Sequence, residues 1–254
     1  MPRLLRIVRE LLRDPKNPSK RLEAMMKIGW MLVPGYRFHW PNPDWWRHAE
    51  FNDYLQRFDE SQGLNSQRRW WMSQLLRMTV TIAGDTAECG VYRGAGSHMI
   101  LRANARGRLP RHHHIFDSFA GISEPDERDG QYWSRGDLSA AENIADEALR
   151  EFDGKTFYKG WIPQRFAEVA DRSFSFVHVD VDLHEPTRDS IAFFYPRIAP
   201  GGIFLCDDYG TEFCPGATRA CDEFLAEKPE KMLSMPDGGG FFVKGLETGD
   251  DLYR

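Results

Sequence analysis

The run Phe176–Val177–His178–Val179–Asp180–Val181–Asp182–Leu183–His184, followed 27 and 28 residues after Asp180 by Asp207 and Asp208, holds the densest set of reactive groups in the chain. Strands of a parallel sheet are buried on both faces and read as apolar runs, so carboxylates at their ends are costly unless paired, protonated or bound to a cation. Crowded acids raise one another's pKa, and a divalent cation relieves the repulsion. All-oxygen ligation suits Mg²⁺ ahead of Mn²⁺ or Ca²⁺. Period-two alternation puts Asp180 and Asp182 on one strand face, with Asp180 nearer the buried end and the better ligand. Adjacent Asp207 and Asp208 reach one ion only where the chain turns, and Tyr209–Gly210 supplies a turn. His184 reads in two ways: as a general base or substrate contact, or as the opening of the helix before Glu185–Pro186–Thr187.

A second constellation is Glu88–Cys89–Gly90–Val91–Tyr92–Arg93–Gly94–Ala95–Gly96–Ser97, an acid followed by glycines spaced for a tight strand-to-helix turn. A carboxylate there accepts from an ammonium group and repels a pyrophosphate, and the glycines do not fall at GxGxxG spacing, which argues against NAD. The next strand ends His114–Ile115–Phe116–Asp117, with Asp117 placed to accept both hydroxyls of a ribose or, alternatively, to cap the following segment. Together these ends match an adenosine bearing an amino acid. Consecutive His112, His113 and His114 alternate faces and cannot chelate one ion, so they read as surface or spacer residues.

Strand ends need a sheet to hold them. From Asp85 onward, short β-rich runs alternate with helical stretches: Asp85–Cys89, His114–Phe116, Thr156–Tyr158, Phe174–Val181 and Gly202–Cys206. That alternation specifies an α/β fold of parallel strands joined by crossover helices, with ligands beyond the carboxyl ends of the strands. Met232–Met235, a Gly-rich turn and Phe241–Lys244 read as a closing hairpin. Residues 1–83 carry no strand signal. Breaks at Asp14–Pro15 and Pro41–Asn42–Pro43 separate helical segments there, and Arg68–Ala83 shows helical spacing. The expected organisation is an N-terminal helical extension over 1–83, serving as substrate lid and oligomer contact, and a cofactor-binding core over 84–254. Trp70–Met72 and Ser118–Asp137 are expected to border the acceptor pocket.

The length of 254 residues, 41% of them apolar, supports one sizeable core with an appendage. No apolar run reaches the ~18 residues of a membrane span, and Arg3, Arg6 and Arg9 with Glu10 and Asp14 build no signal-peptide core, so a cytoplasmic protein without membrane insertion is expected. The net charge is −5, but residues 1–30 hold eight Lys/Arg against three Asp/Glu, leaving the remainder at −10 and excluding it as a nucleic-acid binder. Leu4, Leu5, Val8, Leu11 and Leu12 form an apolar helical stripe that packs on its own domain or, alternatively, against an anionic membrane or a sister subunit. Cys89, Cys206, Cys214 and Cys221 make no CxxC pair, so neither a disulfide framework nor a zinc site is indicated. Several tryptophans, Trp133 and Trp161 among them, are candidate stacking platforms for a sugar face.

The ordered set Ala87–Glu88–Cys89–Gly90–Val91–Tyr92–Arg93–Gly94, Phe116–Asp117–Ser118–Phe119–Ala120–Gly121, Asp180–Val181–Asp182–Leu183–His184, Tyr195–Pro196, Gly201–Gly202, Asp207–Asp208–Tyr209 and Cys214–Pro215–Gly216–Ala217 resembles the macrocin O-methyltransferase family, metal-dependent enzymes that methylate sugar hydroxyls of natural products. The resemblance runs from about Arg68 to Lys244. It implies a Rossmann-like class I methyltransferase fold, a seven-stranded sheet with one antiparallel strand. It also implies S-adenosylmethionine, Mg²⁺ held at Asp180, Asp207 and Asp208, and a homo-oligomer. The implied cofactor set is Glu88, Cys89, Gly90, Val91, Tyr92, Gly94, Ser97, Asp117, Ser118, Phe119, Gly160, Trp161 and Asp180. Asp180–Val181–Asp182 and His184 stand where the family usually reads Asp-Gly-Asp with a tyrosine nearby.

Methyl transfer is an in-line displacement at an already activated carbon, so such an enzyme mainly positions its reactants and deprotonates the acceptor. A sugar hydroxyl ionises about as reluctantly as water, pKa ~15.7, and a bound cation lowers this by several units. Asp180, Asp182 or His184 is then the catalytic group that takes the proton, and the partner is a small-molecule acceptor, foremost a sugar hydroxyl. A glycosyltransferase using Asp180–Val181–Asp182 as a DxD motif is the rival reading, but it leaves Glu88, Asp117 and the Asp207–Asp208 pair without a role. A non-catalytic protein binding S-adenosylmethionine on the same fold would not need the metal carboxylates.

Overall fold

The alternating runs fold into a single sheet. In the computed structural model, which describes residues 18–32, 45, 48–61 and 65–249, the strands are β1 (Asp85–Cys89), β2 (His113–Asp117), β3 (Lys155–Lys159), β4 (Phe174–Val179), β5 (Ile198–Cys206), β6 (Leu233–Ser234) and β7 (Gly240–Val243). Their spatial order is β3-β2-β1-β4-β5-β7-β6. The first five pair in parallel, and β7 runs antiparallel to both β5 and β6. The helices are α1 (Pro18–Leu32), α2 (Ala49–Arg57), α3 (Asn65–Met78), α4 (Ala95–Arg106), α5 (Glu142–Ala148), α6 (His184–Phe194) and α7 (Pro215–Leu225).

All six residues of β4 are buried, as a strand covered on both faces requires. Phe116, Phe174, Phe194, Phe204 and Phe242 are among the largest fully enclosed side chains, packed edge-on or stacked at centroid separations of 5.0–6.1 Å. The chain winds outward through β1, β2 and β3, then returns to lay β4 beside β1. The strand order therefore reverses between β1 and β4, and a crevice opens beyond their carboxyl ends.

Two expectations change. The chain divides into a unit over 1–49 and a unit over 50–254, so the boundary falls well before residue 84. The reason is hydrogen bonding: Tyr54 Oη donates to the Ala95 carbonyl at 2.9 Å, and Arg57 donates to the Ala148 carbonyl at 2.9 Å and to Glu151 at 2.8 Å. Helix α3, and α2 from Glu50 onward, thus belong to the sheet-bearing unit, while α1 belongs to the first. The Leu4–Leu12 stripe lies outside the described residues. Secondly, His113 and His114 are buried, not surface residues. His113 bonds Thr86 Oγ1 and Ser97 Oγ, each at 2.9 Å, and His114 bonds Tyr158 Oη at 2.9 Å and Asp85 at 3.0 Å; each imidazole satisfies polar groups that burial would otherwise strand. Among the described residues, no helix is long and apolar enough to cross a membrane.

Candidate active site

A cleft of about 470 Å³ lies at the point where the strand order reverses. Its cofactor side is built by the turn from β1 into α4. Gly90 adopts φ +83°, and a Cβ there would overlap the backbone oxygen of Asp180 and come within 2.8 Å of its carbonyl carbon, so the loop after β1 lies against the loop after β4 with no room for a side chain. Asp117, at the end of β2, accepts from Val91 N–H at 2.7 Å and Tyr92 N–H at 3.2 Å through one oxygen, and from Phe119 N–H at 2.7 Å through the other. It caps its own turn and also holds the glycine loop in place.

Glu88, Gly90, Val91, Tyr92, Asp117, Ser118, Gly160, Trp161 and Asp180 all line the cleft. Four members of the expected cofactor set do not. Cys89 is enclosed in the core, because successive strand residues point to opposite faces. Gly94 is the left-handed residue before α4, packed toward Ala148 and Leu149. Ser97 stands behind Glu88 and donates to it. Phe119 turns away to Phe157 at 6.1 Å.

The acid side departs from period-two reasoning. Strand β4 ends at Val179, two residues short of the expected Val181, and Asp182 takes φ +62°, so Asp180 and Asp182 do not share a strand face. The acids divide into two groups, each with its ligand atoms within 4.8 Å of one another: His178, Asp180 and Asp207 in one, Asp182, Asp208 and Cys214 in the other. Asp207 and Asp208, which follow β5, are thereby separated. Asp208 accepts from Val181 N–H at 3.1 Å and Asp182 N–H at 2.8 Å, locking the turn after β4. The Cys214 thiol donates toward Asp182 at 3.6 Å and Asp208 at 3.7 Å and accepts from Trp133 Nε1 at 3.3 Å.

Three groups that the sequence reading left without a role complete this side. His178, fully enclosed on β4 beside Glu88 of β1, places Nδ1 at 2.8 Å from Glu88 Oε1 and Nε2 at 3.5 Å from Asp207 Oδ1. Arg68 Nη1 lies 2.9 Å from Asp207 Oδ2, and Arg69 approaches Asp207 Oδ1 and Asp180 Oδ2 at 3.4 Å each. A histidine facing a glutamate across two adjacent apolar runs was a usable signal for the first. Nothing in the spacing of Arg68 and Arg69 marked them. These arginines border the cleft in place of Trp70–Met72, and Met72 is fully buried in the core.

Electrostatics follow from the arrangement. Burial and the neighbouring Asp207 and Asp208 push Asp180 up to about 8, burial and Asp180 push Asp182 up to about 7, and burial and Asp182 push Asp208 up to about 8. Burial alone would raise Asp207 too, but Arg69, His178 and Arg68 outweigh it and hold this carboxyl well below the usual range. His178 is disfavoured as a cation by burial, yet its bonds to Asp207 and Glu88 carry it up to about 10.

His184 is placed away from this chemistry. It is the first residue of α6 and is buried outside the cleft lining, with Nε2 at 3.2 Å from Glu223. Its N–H, one of the unpaired donors of a helix start, is accepted by buried Asp129 at 2.6 Å. Asp129 also accepts from Asp126 N–H at 2.9 Å, and so pins the expected covering stretch, of which Ser118, Gly121, Ile122, Ser123 and Trp133 border the cleft. Asp129→Ala is expected to cost about 1–2 kcal/mol in a urea denaturation and to speed proteolysis within Ser118–Asp137. Unchanged stability and cleavage would show that the segment is held elsewhere.

Comparison with known proteins gives concordant matches. The sequence profile of the macrocin-O-methyltransferase (TylF) family matches residues 71–242. The demethyldecarbamoylnovobiocin O-methyltransferase of Streptomyces niveus is 29% identical over 160 residues, 58% of this chain and 60% of that protein. The 8-demethyl-8-(2,3-dimethoxy-alpha-L-rhamnosyl)-tetracenomycin-C 4'-O-methyltransferase of Streptomyces olivaceus is 29% identical over 150 residues, 54% and 57% of the two chains. The matched region thus spans about three fifths of the length of these relatives. In fold, the chain is similar to the O-methyltransferase NovP (TM-score 0.57, 24% identity, covering 70% of this chain and 79% of NovP) and to the calicheamicin methyltransferase CalS11 (TM-score 0.62, 18% identity, covering 96% and 91%). With the profile spanning the sheet from the helix before β1 into β7, the chain belongs to the macrocin-O-methyltransferase family.

Proposed function

We propose that the protein is an S-adenosylmethionine-dependent and Mg²⁺-dependent O-methyltransferase whose acceptor is a hydroxyl of a small molecule, foremost a sugar of a natural product. The observation that carries this reading is the lining of one cleft by both sets of groups: Glu88, Gly90 and Asp117 on one side, and Asp180, Asp182, Asp207 and Asp208 on the other. The relatives' names, which specify O-methylation of novobiocin and rhamnosyl-tetracenomycin precursors, agree with it.

The acid side fits a divalent cation. Burial first, and then mutual repulsion, raise three of its four carboxyls to about 7–8 even with two arginines at hand, a cost that a bound cation would relieve, and its carboxylate donors are hard oxygens. Asp180 and Asp207, which belong to one group, would hold Mg²⁺, with Asp208 of the adjoining group as the third expected ligand, and the ion would supply Lewis acidity toward the acceptor hydroxyl. Bound S-adenosylmethionine supplies the activated methyl group. Asp117 and the Gly90 turn shape the cofactor side, and Glu88, anchored by Ser97 and His178, closes its base. Asp182 lines the cleft and is not among the expected metal ligands, which suits the proton acceptor. Trp133 and the segment around Ile122 exclude water.

Isothermal titration with S-adenosylhomocysteine tests the cofactor half. Binding is expected, and Asp117→Ala, which removes the acceptor of three backbone N–H groups, is expected to weaken it by about 1–3 kcal/mol. Tight NADH binding with no heat from S-adenosylhomocysteine would overturn the assignment. Homo-oligomerisation and cytoplasmic placement belong to the same proposal, and sedimentation of the purified chain tests the former.

A further inference from the structure

Arg68 and Arg69 lie on α3, three and two residues ahead of the stretch matched by the family profile. Both oxygens of Asp207 are engaged from this helix: Oδ2 by Arg68 at 2.9 Å, and Oδ1 by Arg69 at 3.4 Å. Arg69 divides its guanidinium among three acids without reaching optimal distance to any, at 3.4 Å from Asp207, 3.4 Å from Asp180 and 3.6 Å from Glu60. Charge-assisted N–H···O⁻ bonds close to about 2.7–2.9 Å when geometry permits. Arg69 Nε and Glu60 Oε2, both buried, lack a hydrogen-bond partner even though they face each other. Arg69 therefore meets the carboxylate cluster only at long range, Arg68 holds it through one closed bond from a long side chain, and His178 on the other flank of Asp207 belongs to the sheet itself.

We propose that Arg68 and Arg69 are an internal cation pair that competes with the divalent metal ion for Asp207 and Asp180, so that metal occupancy and the docking of the start of α3 on the strand ends exclude each other. This rests on the metal reading above. Both oxygens of Asp207 and Oδ2 of Asp180 are contacted by the guanidiniums, and a cation that binds through these oxygens displaces them. The apolar face of α3, with Met72, Leu75 and Leu76 buried, keeps the rest of the helix in place, so the response is confined to its first turns. The arginines thus decide how tightly, and how selectively, the cluster takes a metal ion.

The test titrates Mn²⁺ alone into the wild type and into Arg68→Met, followed by calorimetry, and measures hydrogen exchange of α3 in the wild type with and without Mn²⁺. Removing the competitor is expected to tighten Mn²⁺ binding about ten- to hundredfold, the equivalent of one lost charge-assisted hydrogen bond. In the wild type, Mn²⁺ is expected to accelerate exchange of amides in the first two turns of α3. Equal or weaker Mn²⁺ binding by Arg68→Met, or unchanged or slowed exchange in α3, overturns the competition while leaving the metal reading intact. No Mn²⁺ binding by either protein overturns the metal reading and this inference with it. If Arg68→Met fails to fold, the exchange measurement on the wild type decides alone.

Discussion

Asp180→Asn and Asp208→Asn are expected to lower methyl transfer by about 10²–10³-fold, or about 3–4 kcal/mol of transition-state stabilisation, with S-adenosylhomocysteine affinity changed far less. Each substitution keeps the shape of the side chain and removes one ionisable carboxyl from the acid side of the cleft, whereas the cofactor side rests on Glu88, Asp117 and the Gly90 turn. The two variants probe different local roles. Asp180 faces Arg69 and the Asp207 group. Asp208 both belongs to the Asp182 group and accepts the two N–H groups that shape the turn after β4, and an Asn carbonyl oxygen preserves the latter function. EDTA is expected to reproduce the loss in the wild type, and added Mg²⁺ to restore the wild type but not the variants. Full activity in EDTA would remove the metal from the mechanism and leave Asp182 to act as an unaided base.

Gly90→Ala is expected to destabilise the fold by about 2–5 kcal/mol and to abolish measurable S-adenosylhomocysteine binding. A left-handed backbone costs an L-residue about 1–2 kcal/mol, and forcing a methyl group into filled space costs about 1–3 kcal/mol more. Here the space is filled by the Asp180 carbonyl, and the neighbouring strands give little: Gly90 N–H donates to Phe116 O and Asp180 N–H to Cys89 O, both at 2.9 Å. The displacement would therefore reach the glycine loop and the first metal-side acid together. Gly136→Ala is the control, since Gly136 has a similar φ of +89° with nothing within 4 Å of its added Cβ. Equal denaturation midpoints for the two variants would refute the close-approach argument.

Much of the sheet was legible in the chain, because strands buried on both faces must be apolar and short. The run at Asp85–Cys89 folds as β1 with those bounds, and the expected runs at His114–Phe116 and Thr156–Tyr158 each gain one residue at either end. The first motif residues were equally legible: a glycine turn after one strand and an aspartate ending the next both line the cleft. Boundaries failed where a turn begins. Alternation carried Phe174–Val181 two residues too far, because hydrogen bonds from Val181 and Asp182 to Asp208 pull the chain out of the strand.

What the amino-acid order determined alone is the architecture and the identity of the acids, since hydrophobic burial and the conformational freedom of glycine are local properties of residue type. What only the tertiary structure decided is how those acids are shared out and neutralised. Asp182 leaves the face of Asp180 by taking a left-handed φ, and Asp129, 55 residues earlier in the chain, captures the N–H of His184 at the start of α6. Arg68 meets Asp207 across 139 residues of sequence, from a helix whose phase relative to the sheet no periodicity reveals. Burial, not sequence spacing, sets the energetic weight of these contacts, because charges removed from water must find partners wherever the fold brings them together.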